Sequence, residues 1–449
     1  MGSFKNLGGW AFVGLLLGLP ACGSEMTRAA GRGDRPTLGR EIALAEEHAR
    51  LSLPEAAELA RAVVEHEVLS APSPEYAMAR VRDLRGCAFQ ADDVLADRMK
   101  TEDAVGGEAA FERRESGAMT DGSARDHMGS ADDRWRAVGM SGMTRDRDQE
   151  ARQKGLIDGS PLVRRAALRA IMRHGDPGDF DAVYTAARLD PDGLVRSSAL
   201  RALPALAGER ADVANKLRDL WTSGDDGLRE DIAAAYASRA VYAHGGREAL
   251  FHVLTTDKGA AVIEAAAVVL HSPVGDDPEL HPIAESRLID AIKSGTHRAR
   301  LHAIAVAPLS AHAVDGKDPV ELAVGEAAHD EDLDVRIAAL GRLVDPRAGL
   351  TPKDRDDAVR ALENLAYPGV SATPLRESRA RWLLALAGDL RVQAWLETDL
   401  HARDPDLRVT AAEALAALGR ASRAAVLLAD EDPGVRVRGA CVLLRAEAR

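Results

Sequence analysis

From Asp132 to the C-terminus, apolar and polar positions alternate with a helical period that restarts at regular capping residues. Taking Asp132, Ser160, Asp192, Asp225, Gly259, Thr296, Asp332, Thr373, Asp404 and Asp432 as origins, the third residue beyond each is nearly always apolar, as at Trp135, Val163, Val195, Leu228, Val262, Val335, Leu407 and Val435. The seventh is mostly small (Ala167, Ala199, Ala266, Ala303, Ala339, Ala380, Ala411), and the eleventh is mostly large and apolar (Ile171, Leu203, Leu270, Leu343, Leu384, Leu415, Leu443). Offsets of three, seven and eleven share one helical stripe, so each unit is predicted to open with an amphipathic helix whose small central residue admits a close neighbour. Asp, Ser or Thr at the origin can accept a bond from a free amide of the first turn, and Pro161, Pro374, Pro405 and Pro433 stand where no amide is needed. A second apolar-periodic run follows in each unit, such as GDFDAVYTAARL or RVQAWLETDL. One such hairpin cannot bury its own apolar face, so stacked neighbours are expected to share a continuous core.

Four residues past the origin stands a cation in most units: Arg136, Arg164, Arg196, Arg229, Arg300, Arg336, Arg408 and Arg436. A positive charge this close to a helix N-terminus opposes the helix dipole, so its recurrence implies a carboxylate nearby.

This pattern of cap, Val-Arg, small residue and Leu resembles HEAT repeats, particularly the short kind also found in phycobilisome lyases. The resemblance covers Asp132 to the C-terminus and implies an all-α fold, an α-solenoid of stacked antiparallel helix pairs forming a HEAT-like superhelix. It also implies that each repeat arginine meets an Asp of the adjacent unit. The expected ladder therefore runs from Arg164 to Asp192 and from Arg196 to Asp225, continuing through Arg229, Arg336, Arg408, Asp432 and Arg436. An anion-binding strip along the same arginines is the alternative. The units at Gly259, with Ile263, and at Thr373, with Arg376 and Glu377, depart from the pattern and predict irregular stacking.

Before Asp132 the pattern changes. The chain opens MGSFKNLGGWAFVGLLLGLPACGS, whose apolar run from Leu7 to Leu19 is shorter than the roughly 20 residues a membrane-spanning helix needs. It reads as a secretory signal. Leu19, Pro20, Ala21 and Cys22 resemble the lipobox of bacterial lipoproteins, which implies removal of residues 1–21, acylation of Cys22 and, with Gly23 after it, the outer membrane in preference to the inner. An ordinary signal peptide with an accidental Cys22 is the alternative. Residues 22–37 are polar and read as a tether, 38–100 as a small region of three or four helices, 101–130 as a flexible linker, and 131–449 as the repeat array. With Cys22 acylated, only Cys87 and Cys441 remain as thiols; pairing between them is permitted in an export compartment but cannot be read from two widely separated cysteines in an elongated chain, and buried free thiols are the expectation.

Composition agrees with packed helices: aromatics are 4% of residues. The formal charge of -13 argues against a protein built to neutralise phosphates, so nucleic acid is not an expected partner. No HExxH, zinc-spaced Cys-His cluster, Walker loop or dinucleotide fingerprint occurs among the 13 histidines and their surroundings, so neither metal nor cofactor is expected. His66-Glu67 has the form of the iron-binding dipeptides of HEAT-repeat hydroxylases but lies outside the array. Gly139-Met140-Ser141-Gly142 lacks the last glycine of a nucleophile elbow and reads as a helix end. Tyr184, Trp221, Phe251 and Trp395, on or beside the second helices, would form a partner groove if exposed together on a concave face. The reading is a lipid-anchored envelope scaffold holding a protein partner. The alternative is an enzyme or enzyme accessory acting on an envelope substrate, lyase chemistry being disfavoured by the export signal.

Overall fold

The computed structural model describes residues 22–48, 51–174, 176–208, 210–223, 226–271, 277–308, 318–345, 352–371 and 373–449; residues 1–21, where a signal sequence is expected, lie outside them. Every regular element among the described residues is helical. The capping residues act as their chemistry requires: the side chains of Asp132, Asp192, Thr296, Asp332, Thr373, Asp404 and Asp432 each accept an amide of the helix that follows. Loss of one such bond costs about 1 kcal/mol.

The first helices of the units in the array are Asp133–Ser141, Pro161–His174, Gly193–Leu206, Asp226–Tyr236, Ala260–Leu270, His297–Val306, Leu333–Val344, Pro374–Leu386, Pro405–Ala417 and Pro433–Glu447. Two more precede them, in the segment expected to be partly helical and partly linker. Pro74–Asp83 is capped by Ser73 and Ala104–Glu115 by Asp103. The expected flexible linker at 101–130 is thus corrected: it holds a helix with Val105, Glu108, Ala109, Ala110, Glu112 and Arg114 buried, and a second short helix, Asp121–Arg125. Its polarity is misleading because its buried charges are paired, Glu108 with Arg82 and Arg134, and Arg114 with Asp121.

The tether expected at 22–37 is corrected as well. Helix α1 (Cys22–Arg32) buries Met26, Ala29 and Ala30, and Gly33 and Asp34 turn the chain into α2 (Arg35–Glu47). The turn needs Gly33, whose φ is +68° and which abuts the His66 ring. Helix α1 lies against α3 (Leu53–Leu69), and α2 lies against the nine-residue 3-10 segment Ala421–Ala429 near the C-terminus.

That contact reveals the topology. Helix α3 packs along the helix Pro433–Glu447, between Ala421–Ala429 on one side and Asp92–Met99 on the other. An N-terminal helix therefore takes the second-helix position beside Pro433–Glu447. Each first helix packs on the next, and Pro433–Glu447 packs on Pro74–Asp83, so the α-solenoid closes into a ring. The residues 38–100 are part of that ring rather than a separate region. One cluster of buried apolar side chains runs from Met26 to Leu444, with a small satellite around Trp135.

First helices pack on one another at every step, whereas second helices do so at only some steps, so the first helices form the tighter, inner layer. Arg169 pairs with Glu115 and lies over Phe111 at 5.8 Å, joining first helices two units apart, as only an inner face allows.

Candidate functional site: ladder, seam and surface clefts

The repeat arginines are tied by both ends. Arg164 donates from Nε and Nη2 to Asp190 at 2.8 and 2.9 Å, and from Nη1 to the carbonyls of Asp158 and Gly159 at 2.9 and 3.2 Å. The expected partner, Asp192, is corrected to Asp190. Asp192 spends its carboxylate on the Val195 amide as a helix cap, while Asp190, two residues earlier in the turn, faces the preceding unit and also accepts the Asp192 amide. The same step recurs from Arg136 to Asp158, from Arg300 to Asp330 and from Arg408 to Asp430. Asp432 likewise caps its own helix through the Gly434 and Val435 amides.

Arg196 donates to the carbonyls of Asp190 and Pro191, Arg229 to that of Trp221 and Arg336 to that of Asp330. Asp225, the expected partner of Arg196, lies outside the described residues. In the aberrant unit at Thr373 the task moves one turn along. Arg381 binds Asp399 at 2.7 Å and the Ala366 carbonyl at 3.0 Å, and Arg376 reaches back to Asp334 at 2.7 Å. The hydrogen bond to Arg300 holds the Asp330 carboxyl below the ordinary range. Asp158 is also held low, burial pushing it up and the bonds from Arg136 and the Ser160 amide outweighing that.

The ladder does not stop at the last unit. Arg436 donates from Nε to Glu67 of α3 at 2.6 Å, and from Nη1 to the Asp430 carbonyl at 2.7 Å. Glu67 is held a second time by the Tyr76 hydroxyl, which also accepts from Arg436 Nη2 at 3.3 Å. The Glu of the His66-Glu67 dipeptide is thus occupied as a ladder carboxylate. Cys87 and Cys441, expected as free thiols, form a disulfide with Cα atoms 5.3 Å apart across a separation of 354 residues. Ring closure is what brings them together, and an open array offered no sign of it. No group of three or more His, Cys, Asp and Glu at metal-binding spacing occurs among the described residues.

The four aromatics do not converge. Because second helices form the outer layer, Tyr184, Trp221, Phe251 and Trp395 do not line a concave face. Lys216 covers the Tyr184 ring at 4.6 Å, Trp221 leans on Tyr236, Trp395 meets Tyr367 edge-on at 4.8 Å, and Phe251 is 37% exposed. Gly142 ends the helix Asp133–Ser141, so Ser141 is a buried helix terminus whose hydroxyl serves Arg114.

Two of the surface clefts among the described residues carry charged linings. One, of about 460 Å³, lies where α2 meets the ring and is lined by Glu46, Leu51, Gln393, Gly419, Arg420, Ser422 and Arg423. Burial pushes the Glu46 carboxyl above its ordinary value, Arg423 working against the shift. The other, of about 360 Å³, lies between Pro319–Ala327 and Pro352–Ala366, with Leu322, Leu340 and Leu343 below and Glu326 and Asp357 at the rim. Cys22 is the first residue of α1; its side chain lies outside what the structure describes.

Residues 150–237 match the family model of HEAT repeats. No curated protein matches the chain. Among solved structures, the complex of CpcE and CpcF of phycocyanin lyase from Nostoc sp. PCC7120 is similar at 16% identity, over 55% of this chain and 94% of that one, with a TM-score of 0.33. An engineered protein is similar at 20% identity, over 86% and 98%, with a TM-score of 0.27. The karyopherin Kap121p bound to the extreme C-terminus of the protein phosphatase Cdc14p is similar at 14% identity, over 90% and 50%, with a TM-score of 0.32.

Proposed function

We propose that this HEAT-repeat chain, whose solenoid closes on itself, is a lipid-anchored scaffold of the bacterial envelope that binds a protein partner on the surface of its ring. The observation that carries the reading is the seam: α3, the Arg436–Glu67 pair and the Cys87–Cys441 disulfide turn a flexible array into one rigid platform. Disulfides form and persist in exported proteins and are rare in the cytosol, which supports the secretory reading of the first 21 residues. Acylation of Cys22 would then tether the ring at α1, with each buried methylene contributing about 0.8 kcal/mol to membrane attachment. The test has two arms. Mass analysis of the mature protein is expected to show an N-terminus at Cys22 carrying acyl chains. Crosslinking in intact cells, with identification of what is captured, is expected to return one or a few envelope proteins, and capture of nothing above background would reject the scaffold.

A further inference from the structure

We propose that the cleft beside α2 holds a phospholipid headgroup bearing both a phosphate and an ammonium, of the phosphatidylethanolamine kind. The orientation rests on the lipid-anchor reading above; the chemistry of the cleft does not. Its lining is dipolar. Arg420, Ser422 and Arg423 line it from the start of the Ala421–Ala429 segment, and Glu46 lines it from α2, near enough to Arg423 to feel its charge. Two guanidinium groups and a hydroxyl match the oxygens of a phosphate, for which arginine is the best-suited side chain. A half-buried carboxylate matches an ammonium, which restores the hydration that burial removes. Glu397, bonded by Gln393 at 2.8 Å and 3.8 Å from Arg423, adds a second negative charge near the first. The cleft thus carries both signs of charge and is close to neutral in sum, which selects a zwitterion over a simple anion.

Its position suits a lipid. Helix α2 runs antiparallel to Ala421–Ala429: Arg35 bonds the Glu431 carbonyl, Gly39 abuts Ala429, and Glu46 reaches the cleft beside Arg423. Helix α1 folds back along α2. At 1.5 Å per residue the two are about 16 and 20 Å long, which returns the start of α1 toward the end of α2 that lines the cleft.

The test uses the full mature chain in detergent, titrated with short-chain phosphatidylethanolamine, phosphatidylcholine and phosphatidylglycerol, and separately with free phosphoethanolamine and inorganic phosphate. The expected result is tightest binding of the ethanolamine lipid, weakened about tenfold by Arg420→Gln with Arg423→Gln. Glu46→Gln is expected to weaken the ethanolamine lipid but not the glycerol lipid, and Arg188→Gln, on a distant helix, to change nothing. An unchanged urea midpoint separates these effects from misfolding. Equal affinity for the choline lipid, or variants that bind as the parent does, would overturn the proposal. Binding of free phosphoethanolamine or inorganic phosphate as tightly as the lipid would overturn the membrane source. Because binding is read whether or not Cys22 carries acyl chains, its failure and the failure of the anchor reading are distinguishable.

Discussion

Arg436 and Glu67, 369 residues apart in sequence, make the contact that Arg164 and Asp190 make across 26. The seam is therefore built as another rung. Both partners are buried, at 8% and 5% exposure, so removing one strands a charge. Glu67→Ala is expected to cost about 3 kcal/mol in urea unfolding. Glu413→Ala, which frees the exposed Arg445, is expected to cost less than about 1 kcal/mol. Equal costs would show that the seam is no more than a surface contact.

The register of the ladder can be read by paired substitution. Asp190→Asn removes the buried charge that Arg164 faces, and Asp192→Ala removes only a cap. Unfolding in urea is expected to show a loss of about 3 kcal/mol for the first and about 1 kcal/mol for the second. The reverse order would restore Asp192 as the partner.

Reduction of Cys87–Cys441 releases a loop of 354 residues, for which chain entropy alone predicts about 6 kcal/mol, with measured effects commonly smaller. The midpoint of urea unfolding is expected to fall on adding reductant, and to fall equally in Cys87→Ser without it. Under denaturing, non-reducing conditions neither cysteine is expected to react with a thiol reagent.

Acid should loosen the ladder. Asp330 is held below its unfolded value by Arg300, so the stability it contributes is present above about pH 4 and is lost as pH falls through its folded value. Glu112 and Asp399, pushed up by burial, act oppositely: their contribution is present at low pH and fades as pH rises through their folded values. Urea midpoints measured from pH 5 down to pH 3 are expected to fall, and Asp330→Asn is expected to flatten that slope.

Helix pairs and caps after Asp132 are readable from spacing because their apolar stripes are regular and their capping residues do one job. The segment 101–130 is not, because Glu108 and Glu112 are buried against arginines of other helices and Arg114 against Asp121, and a buried charge with a partner looks polar in sequence. Gly106 and Gly107 also resemble linker residues, yet a Cβ at Gly107 would lie 3.0 Å from the Trp135 ring. The origins Ser73 and Asp103 continue the spacing that leads to Asp132, and they are the signal by which the two earlier units could have been found. The rung partner was misassigned by two residues because cap and partner are both aspartates in the same turn. Closure itself left no local trace, since Glu67 reaches Arg436 from within an ordinary-looking helix.

An open stack needs polar end pieces to shield its two terminal faces from water. Here α3 lies on Pro433–Glu447, so among the described residues the ring leaves no such face and no unit is structurally first or last. Where the backbone is cut becomes a matter of convenience: a circular permutant, with the old termini joined and new ones opened in an exposed turn between two units, should fold to the same wheel.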